Sequence, residues 1–419
     1  MREMKDSGIE WIGYIPKNWN MSKIGSLYTQ RNEKVSDKEY QPLSVTMQGV
    51  LPQLASAAKT DDGDNRKLVR VGDFAINSRS DRRGSCGISP FDGSVSLINI
   101  ILTPRTTMHP GYYDWLFHTT LFADEFYKWG HGIVADLWTT RWQEMKSICV
   151  PVPEYAEQKH ISEFLDSECA EIDAVLEKNR ASIDEYKKLK QAVITQAVTK
   201  GVRGDRSMKN SGDSFFHKVP VGWTNSKIKY CAIFSPLCNT SHLTEDSIVT
   251  FTPMECIKNG YFENREAVLA SANSSYTQYQ EGDIVFAKVT PCFENGNIAI
   301  MQGLSSKFGF GSSELFVLRP KSINTRFLFY YLQNDIFKQY ACATMTGTGG
   351  LKRVSPSFVR NFPIFLPSDS EQAEIAEYLD YKCKGIDLLI SKKQQYLTEI
   401  ENYKKSLIYE YVTGKKEVD

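Results

Sequence analysis

The sequence predicts an α+β protein in which two tandem globular blocks are joined by two long helices. Three observations predict this class: an internal repeat with an offset of about 200 residues, a long stretch with helical periodicity in each half, and short β-branched and aromatic runs bounded by glycine turns. The globular blocks are expected at residues 1–150 and 206–366. The helical segments are expected at 151–205 and 367–419.

Two motifs each occur once in each half. Residues 7–24 recur as 211–228, with Ser-Gly, Pro-x-x-Trp and Ser-Lys-Ile in both copies, and residues 157–166 recur as 371–380, with Glu-Gln and Leu-Asp in both. The sequence between these motifs is much less similar. Related scaffolds with different loops are expected to bind two different ligands in similar ways.

Each of the two globular blocks is predicted to contain both strands and helices. Strands are predicted around Ser96–Leu102 and Glu314–Leu318, where β-branched, leucine and aromatic residues cluster. Helices are predicted near Tyr112–Lys128 and near Thr325–Tyr340. Each block is therefore expected to be α+β.

The short segments are predicted to be long helices. Ala156–Thr199 contains neither proline nor glycine, and its apolar residues return every three or four positions, as they do in the second copy. Each apolar stripe is too narrow to form a core alone, so the two helices are expected to pack on each other as an antiparallel coiled coil with pseudo-two-fold symmetry. Leu189 and Tyr403 are placed in the second seam of this coil.

Two polar residues fall at equivalent seam positions in the middle of the helices. Asn179 and Lys393 are interpreted as setting the register of the antiparallel pair, because a polar seam residue lowers stability but fixes alignment. The alternative is that both side chains point to solvent. The sequence does not separate these two interpretations.

The composition excludes several protein classes. The 50 basic residues equal the 50 acidic residues, and no run of about 18 apolar residues is present, which argues against a membrane span. The nine cysteines are odd in number and lack Cys-x-x-Cys spacing. We expect a cytoplasmic protein with reduced thiols and no membrane contact.

Catalytic motifs are absent from the sequence. It contains no Asn/Asp-Pro-Pro-aromatic run for methyl transfer, no phosphate-binding loop that ends in Lys-Ser/Thr and no His-Glu-x-x-His zinc motif. The glycine-rich run 346–350 lacks the Lys-Ser/Thr ending, and the six histidines have no metal-ligand spacing. No catalytic residue, metal site or cofactor of its own is therefore predicted.

The first pair of candidate binding loops is basic and bounded by glycine. Arg79, Arg82 and Arg83 lie in one loop, and Lys288 begins the corresponding loop of the second half. The guanidinium group of arginine can bind the edge of guanine or a phosphate, so these residues are candidates for DNA contact. The alternative is a solvated surface loop in which Asp81 pairs with one arginine.

A second pair of segments lies upstream of the helices. Arg141 in the first half, and Lys352 and Arg353 in the second, are candidates for gripping phosphates. Block 206–366 holds 16 Lys and Arg against 11 Asp and Glu, which favours DNA contact there. The alternative is that these segments do not contact DNA and only position each block on the helices.

The chain resembles the DNA specificity subunit of type I restriction-modification systems. The resemblance rests on the duplicated order and on five segments, which are Ser7–Trp19, Gly72–Asn77, Pro153–Gln158, Lys288–Gly296 and Pro367–Gln372.

The resemblance implies two target recognition domains, each reading half of a split double-stranded DNA site, and two helices that form an antiparallel spacer. It also implies that two methyltransferase subunits and motor-nuclease subunits assemble around the chain. Those partners would use S-adenosylmethionine, ATP and Mg²⁺. A free-standing transcriptional regulator is the alternative, and it would bind its site tightly by itself.

Overall fold

The structure is a computed structural model. It describes residues 2–53, 63–132, 138–271, 275–348 and 350–418. It comprises two compact units, unit 1 being Met1–Arg180 with Gln395–Asp419 and unit 2 being Ala181–Gln394. The division into four segments along the sequence stays a prediction.

The strands of unit 1 are antiparallel and short. In the described residues they are β1 to β13: Met4–Asp6, Tyr14–Pro16, Asn20–Lys23, Tyr28–Arg31, Lys34–Val35, Leu43–Thr46, Gly49–Pro52, Arg66–Val69, Phe74–Asn77, Cys86–Ile88, Gly93–Val95, Asn99–Pro104 and Cys149–Val152. The largest sheet has the order β10-β9-β12-β4. Strand β9 is buried along its whole length, which places it at the centre of the unit.

The helices of unit 1 cover one face of this sheet. They are α1 to α5: Ile24–Leu27, Pro110–Phe117, Thr120–Lys128, Trp142–Met145 and Tyr155–Lys200, the last continuing into unit 2. Aromatic residues form the core between sheet and helices, with the Phe74 and Phe117 ring centroids 4.6 Å apart.

Unit 2 repeats the central sheet of unit 1. In its described residues the strands are β14 to β25: Met208–Asn210, Lys218–Pro220, Thr224–Lys227, Ala232–Phe234, Ile248–Thr252, Arg265–Val268, Thr277–Gln280, Ile284–Ala287, Ile298–Ile300, Phe308–Gly311, Leu315–Pro320 and Pro363–Leu366. The sheet β22-β21-β24-β17 corresponds to β10-β9-β12-β4. A second sheet, β19-β18-β23-β20, contains the parallel pair β18–β23.

The helices of unit 2 are arranged as in unit 1. They are α6 to α10: Ile228–Cys231, Thr325–Tyr331, Asp335–Ala343, Pro356–Asn361 and Asp369–Val412, the last continuing into unit 1. Mixed units and two long helices match the predicted α+β class.

Each of the two predicted mid-block helices is divided into two. Thr119 lies between α2 and α3 and is the N-cap of α3, its Oγ1 accepting a hydrogen bond from Phe122 N at 3.2 Å. Asn334 does the same in unit 2, accepting from Phe337 N at 2.8 Å. The N-cap side chains supply the breaks that apolar periodicity alone did not reveal.

The long helices pack in opposite directions within each unit. In unit 1, Lys404 Nζ donates to Asp173 at 2.6 Å. In unit 2, Lys190 Nζ donates to Asp387 at 2.8 Å. Each unit has a second ion pair, Arg180 with Glu401 in unit 1 and Arg203 with Glu374 in unit 2. In both units the partner's residue number falls as the number along the first segment rises. The predicted antiparallel packing is therefore confirmed within both units.

The predicted second seam is wrong at two positions. Leu189 and Tyr403 are 49% and 55% exposed, and the following residues, Lys190 and Lys404, take the inward positions. Lysine fits there because its aliphatic stem packs between the helices while its ammonium group reaches the aspartate.

The repeated Glu-Gln motif joins each long helix to its globular part. Gln158 accepts a hydrogen bond from the N-cap residue of α2, His109 N, at 2.8 Å, and donates to Pro153 O at 2.8 Å. Gln372 accepts from the N-cap residue of α7, Asn324 N, at 2.8 Å. The glutamines thus satisfy backbone groups that would otherwise be buried without a partner, which explains why this motif recurs.

Candidate nucleic-acid interface

The two basic segments of unit 1 lie side by side. Thr140 N donates to Ser78 O at 3.0 Å, and Ser80 N donates to Trp138 O at 2.9 Å. We call residues 78–80 with 138–140 the unit 1 ladder. It fixes the backbone of Arg79, and Arg141 immediately follows its second strand.

A surface cavity of about 290 Å³ opens beside the unit 1 ladder. Its lining includes two arginines from the sequence prediction, Arg79 and Arg141, together with Lys67 and the apolar side chains of Leu97 and Ile98. Burial lowers the pKa of Lys67, whose Nζ donates to Asn99 O at 2.6 Å. The sequence analysis did not select Lys67, because it lies on β8, far from the glycine-bounded loops.

Acidic residues partly neutralise the loop arginines. Arg79 Nε and Arg82 Nε lie 3.2 and 3.9 Å from the Asp81 carboxylate, and Arg83 pairs with Asp124. The Arg82 side chain is 68% exposed. The Asp81 pairing expected for a solvated loop is therefore present, and Arg82 remains accessible to a ligand.

Unit 2 has an equivalent pair of segments. Val354 N donates to Lys288 O at 2.9 Å, and Thr290 N donates to Lys352 O at 3.0 Å. We call residues 288–290 with 352–354 the unit 2 ladder. It joins the two basic segments that the sequence analysis selected separately in the second half.

A carboxylate lies between the cations of the unit 2 ladder. Arg353 Nη2 and Nε donate to Glu314 Oε1 and Oε2 at 2.8 and 3.0 Å, and Lys288 Nζ lies 3.7 Å from Oε2. The hydrogen bonds from Arg353 lower the pKa of Glu314 and raise the pKa of Arg353. Lys352 is exposed.

The two ladders share their backbone bonds but not their side chains. Matching hydrogen bonds place Ser78 with Lys288, Trp138 with Lys352 and Thr139 with Arg353. At each of these positions, a cationic residue in one ladder therefore corresponds to a neutral residue in the other. The sequence analysis missed this, because the intervening loops differ in length and composition.

The two candidate register residues have different surroundings. Asn179 is buried at 7% exposure in unit 1. Lys393 is half-buried in unit 2, with its Nζ 6.0 Å from the centre of the Tyr186 ring. Their role in register stays a prediction.

Metal-ligating side chains are dispersed in the parts of the chain that the structure describes. No three His, Cys, Asp or Glu side chains there are grouped to hold a metal ion. No helix among the described residues is long and apolar enough to cross a membrane. The glycine-rich run 346–350 pairs back on Arg353 through Thr346, and its Gly349 lies outside the described residues.

Comparison with known proteins finds similarity to one family over part of the chain. Residues 220–399 match the model of the type I restriction modification DNA specificity domain. The EcoEI specificity subunit of Escherichia coli is 31% identical over 199 residues, and the EcoAI specificity subunit of the same organism is 34% identical over 163 residues. The chain is therefore similar to type I restriction enzyme specificity subunits over part of its length.

The similarity to these specificity subunits is partial. The EcoEI alignment covers 46% of this chain and 33% of the relative, and the EcoAI alignment covers 38% and 27%. The chain thus spans about a third of the length of these curated relatives.

The fold of the chain is also similar to that of a solved structure. A chain from a structure of complex assembly and conformational transition of the type I R-M system matches with a TM-score of 0.72 and 13% identity, covering 96% of this chain and 99% of that chain. At this identity the match confirms the fold class.

Proposed function

We propose that the chain is a non-catalytic, sequence-specific DNA-binding subunit of a type I restriction-modification complex. Each unit contacts one half of a split double-stranded site through its ladder. Arg79, Arg82, Arg83 and Arg141 serve one half-site, and Lys288, Lys352 and Arg353 serve the other.

One observation carries this proposal: two ladders with the same backbone bonds present different side chains. A shared backbone supports the same mode of approach to a duplex, and different side chains support the reading of different bases.

The chemistry of such a complex belongs to its partners. Two methyltransferase subunits would transfer methyl groups from S-adenosylmethionine, and motor-nuclease subunits would use ATP and Mg²⁺. The chain directs both to the site. Its expected cytoplasmic location stays a prediction.

Genome-wide adenine methylation tests the proposal. Cells with and without this gene are compared, with the partner methyltransferase present in both. We expect a two-part motif with a fixed gap to disappear on deletion. An unchanged methylation pattern would contradict the proposal.

Paired substitutions test the assignment of one half-site to each unit. Arg82→Ala with Arg83→Ala is expected to disturb one half of the motif, and Lys352→Ala with Arg353→Ala the other. Each pair serves as the matched control for the other, because both remove two exposed cations. Equal loss at both halves from either pair would refute the assignment.

A further inference from the structure

An acidic side chain, Glu314, lies beside the unit 2 ladder, between two of its cations. Glu314 precedes β24, its side chain is 29% exposed, and it is held from one side by Arg353 and approached from the other by Lys288. Lys288 is itself fixed, since its Nζ donates to Ser313 O at 2.6 Å. A partly exposed carboxylate is therefore presented in one defined orientation.

We propose that Glu314 is a specificity-determining residue that accepts a hydrogen bond from an amino group on a base edge. The inference rests on the proposed function. It assigns adenine or cytosine to the contacted strand position, because these bases present amino donors in the major groove whereas guanine and thymine present carbonyl acceptors. Arg353 and Lys288 are then positioning residues.

The hydrogen-bonding capacity of the carboxylate supports this role. Each oxygen of an ionised carboxylate has two lone pairs, and Arg353 uses one on each oxygen. One acceptor site per oxygen remains for a base. The lowered pKa of Glu314 keeps the group ionised near neutral pH, so it acts as an acceptor and not as a donor.

The bidentate hydrogen bonding to Glu314 also restricts which groups Arg353 can bind. A bidentate guanidinium–carboxylate pair is strong and geometrically specific. Arg353 would have to break both bonds before it forked onto guanine. Holding Glu314 in place is compatible with the observed geometry, and the exposed Lys352 remains for phosphate.

The equivalent position in unit 1 has a different chemistry. Ser78 N donates to Ile98 O at 3.3 Å, as Lys288 N donates to Glu314 O at 3.0 Å, so Ile98 corresponds to Glu314. Ile98 is 40% exposed. An exposed apolar side chain at a base-reading position suits the thymine methyl group, whereas a carboxylate suits an amino group. The position thus distinguishes the two ladders.

The test uses the full chain purified with its methyltransferase partner and a DNA library in which both half-sites are randomised. Wild type is expected to exclude guanine and thymine at one position of one half-site by about five- to a hundredfold. Glu314→Gln is expected to lose that discrimination, because an amide also donates hydrogen bonds. The other half-site keeps its sequence.

Glu255→Gln is the matched control. Glu255 lies in the same unit, is more than half exposed and pairs with Arg265 at 3.4 Å, but it is outside the ladder. Its substitution is expected to leave every base preference unchanged. A change like that of Glu314→Gln would overturn the inference.

The outcomes separate the inference from the proposed function. If wild type selects no site, both are overturned. If wild type selects a split site and Glu314→Gln retains the same preference at every position, only the inference is overturned. If Glu314→Gln does not assemble, Arg353→Lys keeps the charge but removes the fork, and an unchanged preference with that variant overturns the inference as well.

Discussion

The repeated Gly-Asp sequence of the two halves supports the same buried ion pair in two different ways. Asp73 accepts from Arg31 Nε at 2.7 Å, and Asp283 accepts from Arg319 Nε at 2.7 Å. Arg31 lies on β4 whereas Arg319 lies on β24. Thr103 takes the place of Arg319 in unit 1 and donates to Asp73 at 2.8 Å. The aspartate is the constant feature. Its cation comes from the adjacent strand, β24, in unit 2 and from the strand beyond the adjacent one, β4, in unit 1.

Removal of this aspartate is expected to destabilise its unit. Asp73→Ala should lower the free energy of unfolding by about 3 kcal/mol, because Arg31 is left partly buried without its counter-ion. Thermal unfolding measures the effect. Asp92→Ala is the control, since Asp92 is half exposed where it pairs with Arg70, and little change is expected. Equal shifts for both variants would contradict the argument.

Two buried cysteines of the long helices are expected to be unreactive. Burial raises the pKa of Cys169 and of Cys383 to about 11. At pH 8 only about one thiol in a thousand is then ionised. Alkylation followed by mass spectrometry should label both slowly, with rates that rise about tenfold per pH unit up to pH 10. Rapid labelling at pH 8 in the folded chain would contradict this.

At the level of elements, periodicity and end signals predicted the long helices well. The predicted Ala156–Thr199 is observed as Tyr155–Lys200, and Gly201 and Gly414 adopt positive φ at the two helix ends. Strand β12, observed at Asn99–Pro104, was predicted at Ser96–Leu102, three residues early at its start and two at its end. Short strands are set by pairing with distant segments, which a local pattern does not contain.

The candidate site was predictable only in part. The glycine-bounded loops led to Arg79 and Lys288, because turn chemistry is local in sequence. Glu314 and Lys67 were missed, since they approach the ladders from other parts of the chain, Glu314 from the residue before β24 and Lys67 from β8. A carboxylate that organises cations has no sequence signature of its own.

The seam lysines are expected to contribute to the antiparallel register. Lys190 and Asp387 in unit 2 repeat Asp173 and Lys404 in unit 1 at matching positions of the sequence repeat. Lys190→Glu should destabilise the helix pair, and adding Asp387→Lys should recover part of the loss, with a coupling of about 0.2–1 kcal/mol. A double-mutant cycle by thermal unfolding measures it. A coupling of zero would mean that the pair does not help to set register.

Asn179 provides a separate test of register. Asn179→Leu is expected to stabilise the seam but to loosen its alignment, because a buried polar residue favours one register at a cost in stability. Cross-linking of engineered cysteine pairs along the two helices would report the alignment. Unchanged stability with unchanged cross-links would refute a register role for Asn179.

At the scale of the whole molecule, charge balance is expected to limit DNA affinity. The chain carries 50 basic and 50 acidic residues, and Asp81, Asp124 and Glu314 each pair with cations of the candidate interface. Phosphate neutralisation supplies much of the affinity of DNA-binding proteins. Partner subunits that add phosphate contacts would therefore be needed for tight binding.

This argument predicts a difference in salt dependence between the chain alone and the assembled complex. The logarithm of the binding constant should fall with the logarithm of salt concentration by about 0.9 per phosphate contact, so the complex should show the steeper slope and the higher affinity. Fluorescence anisotropy with one split-site duplex, measured for both at several salt concentrations, gives the two slopes. A duplex with both half-sites scrambled is the control for non-specific binding. Tight, site-specific binding by the chain alone would contradict the prediction and favour a free-standing regulator, because such a protein must hold its site without help.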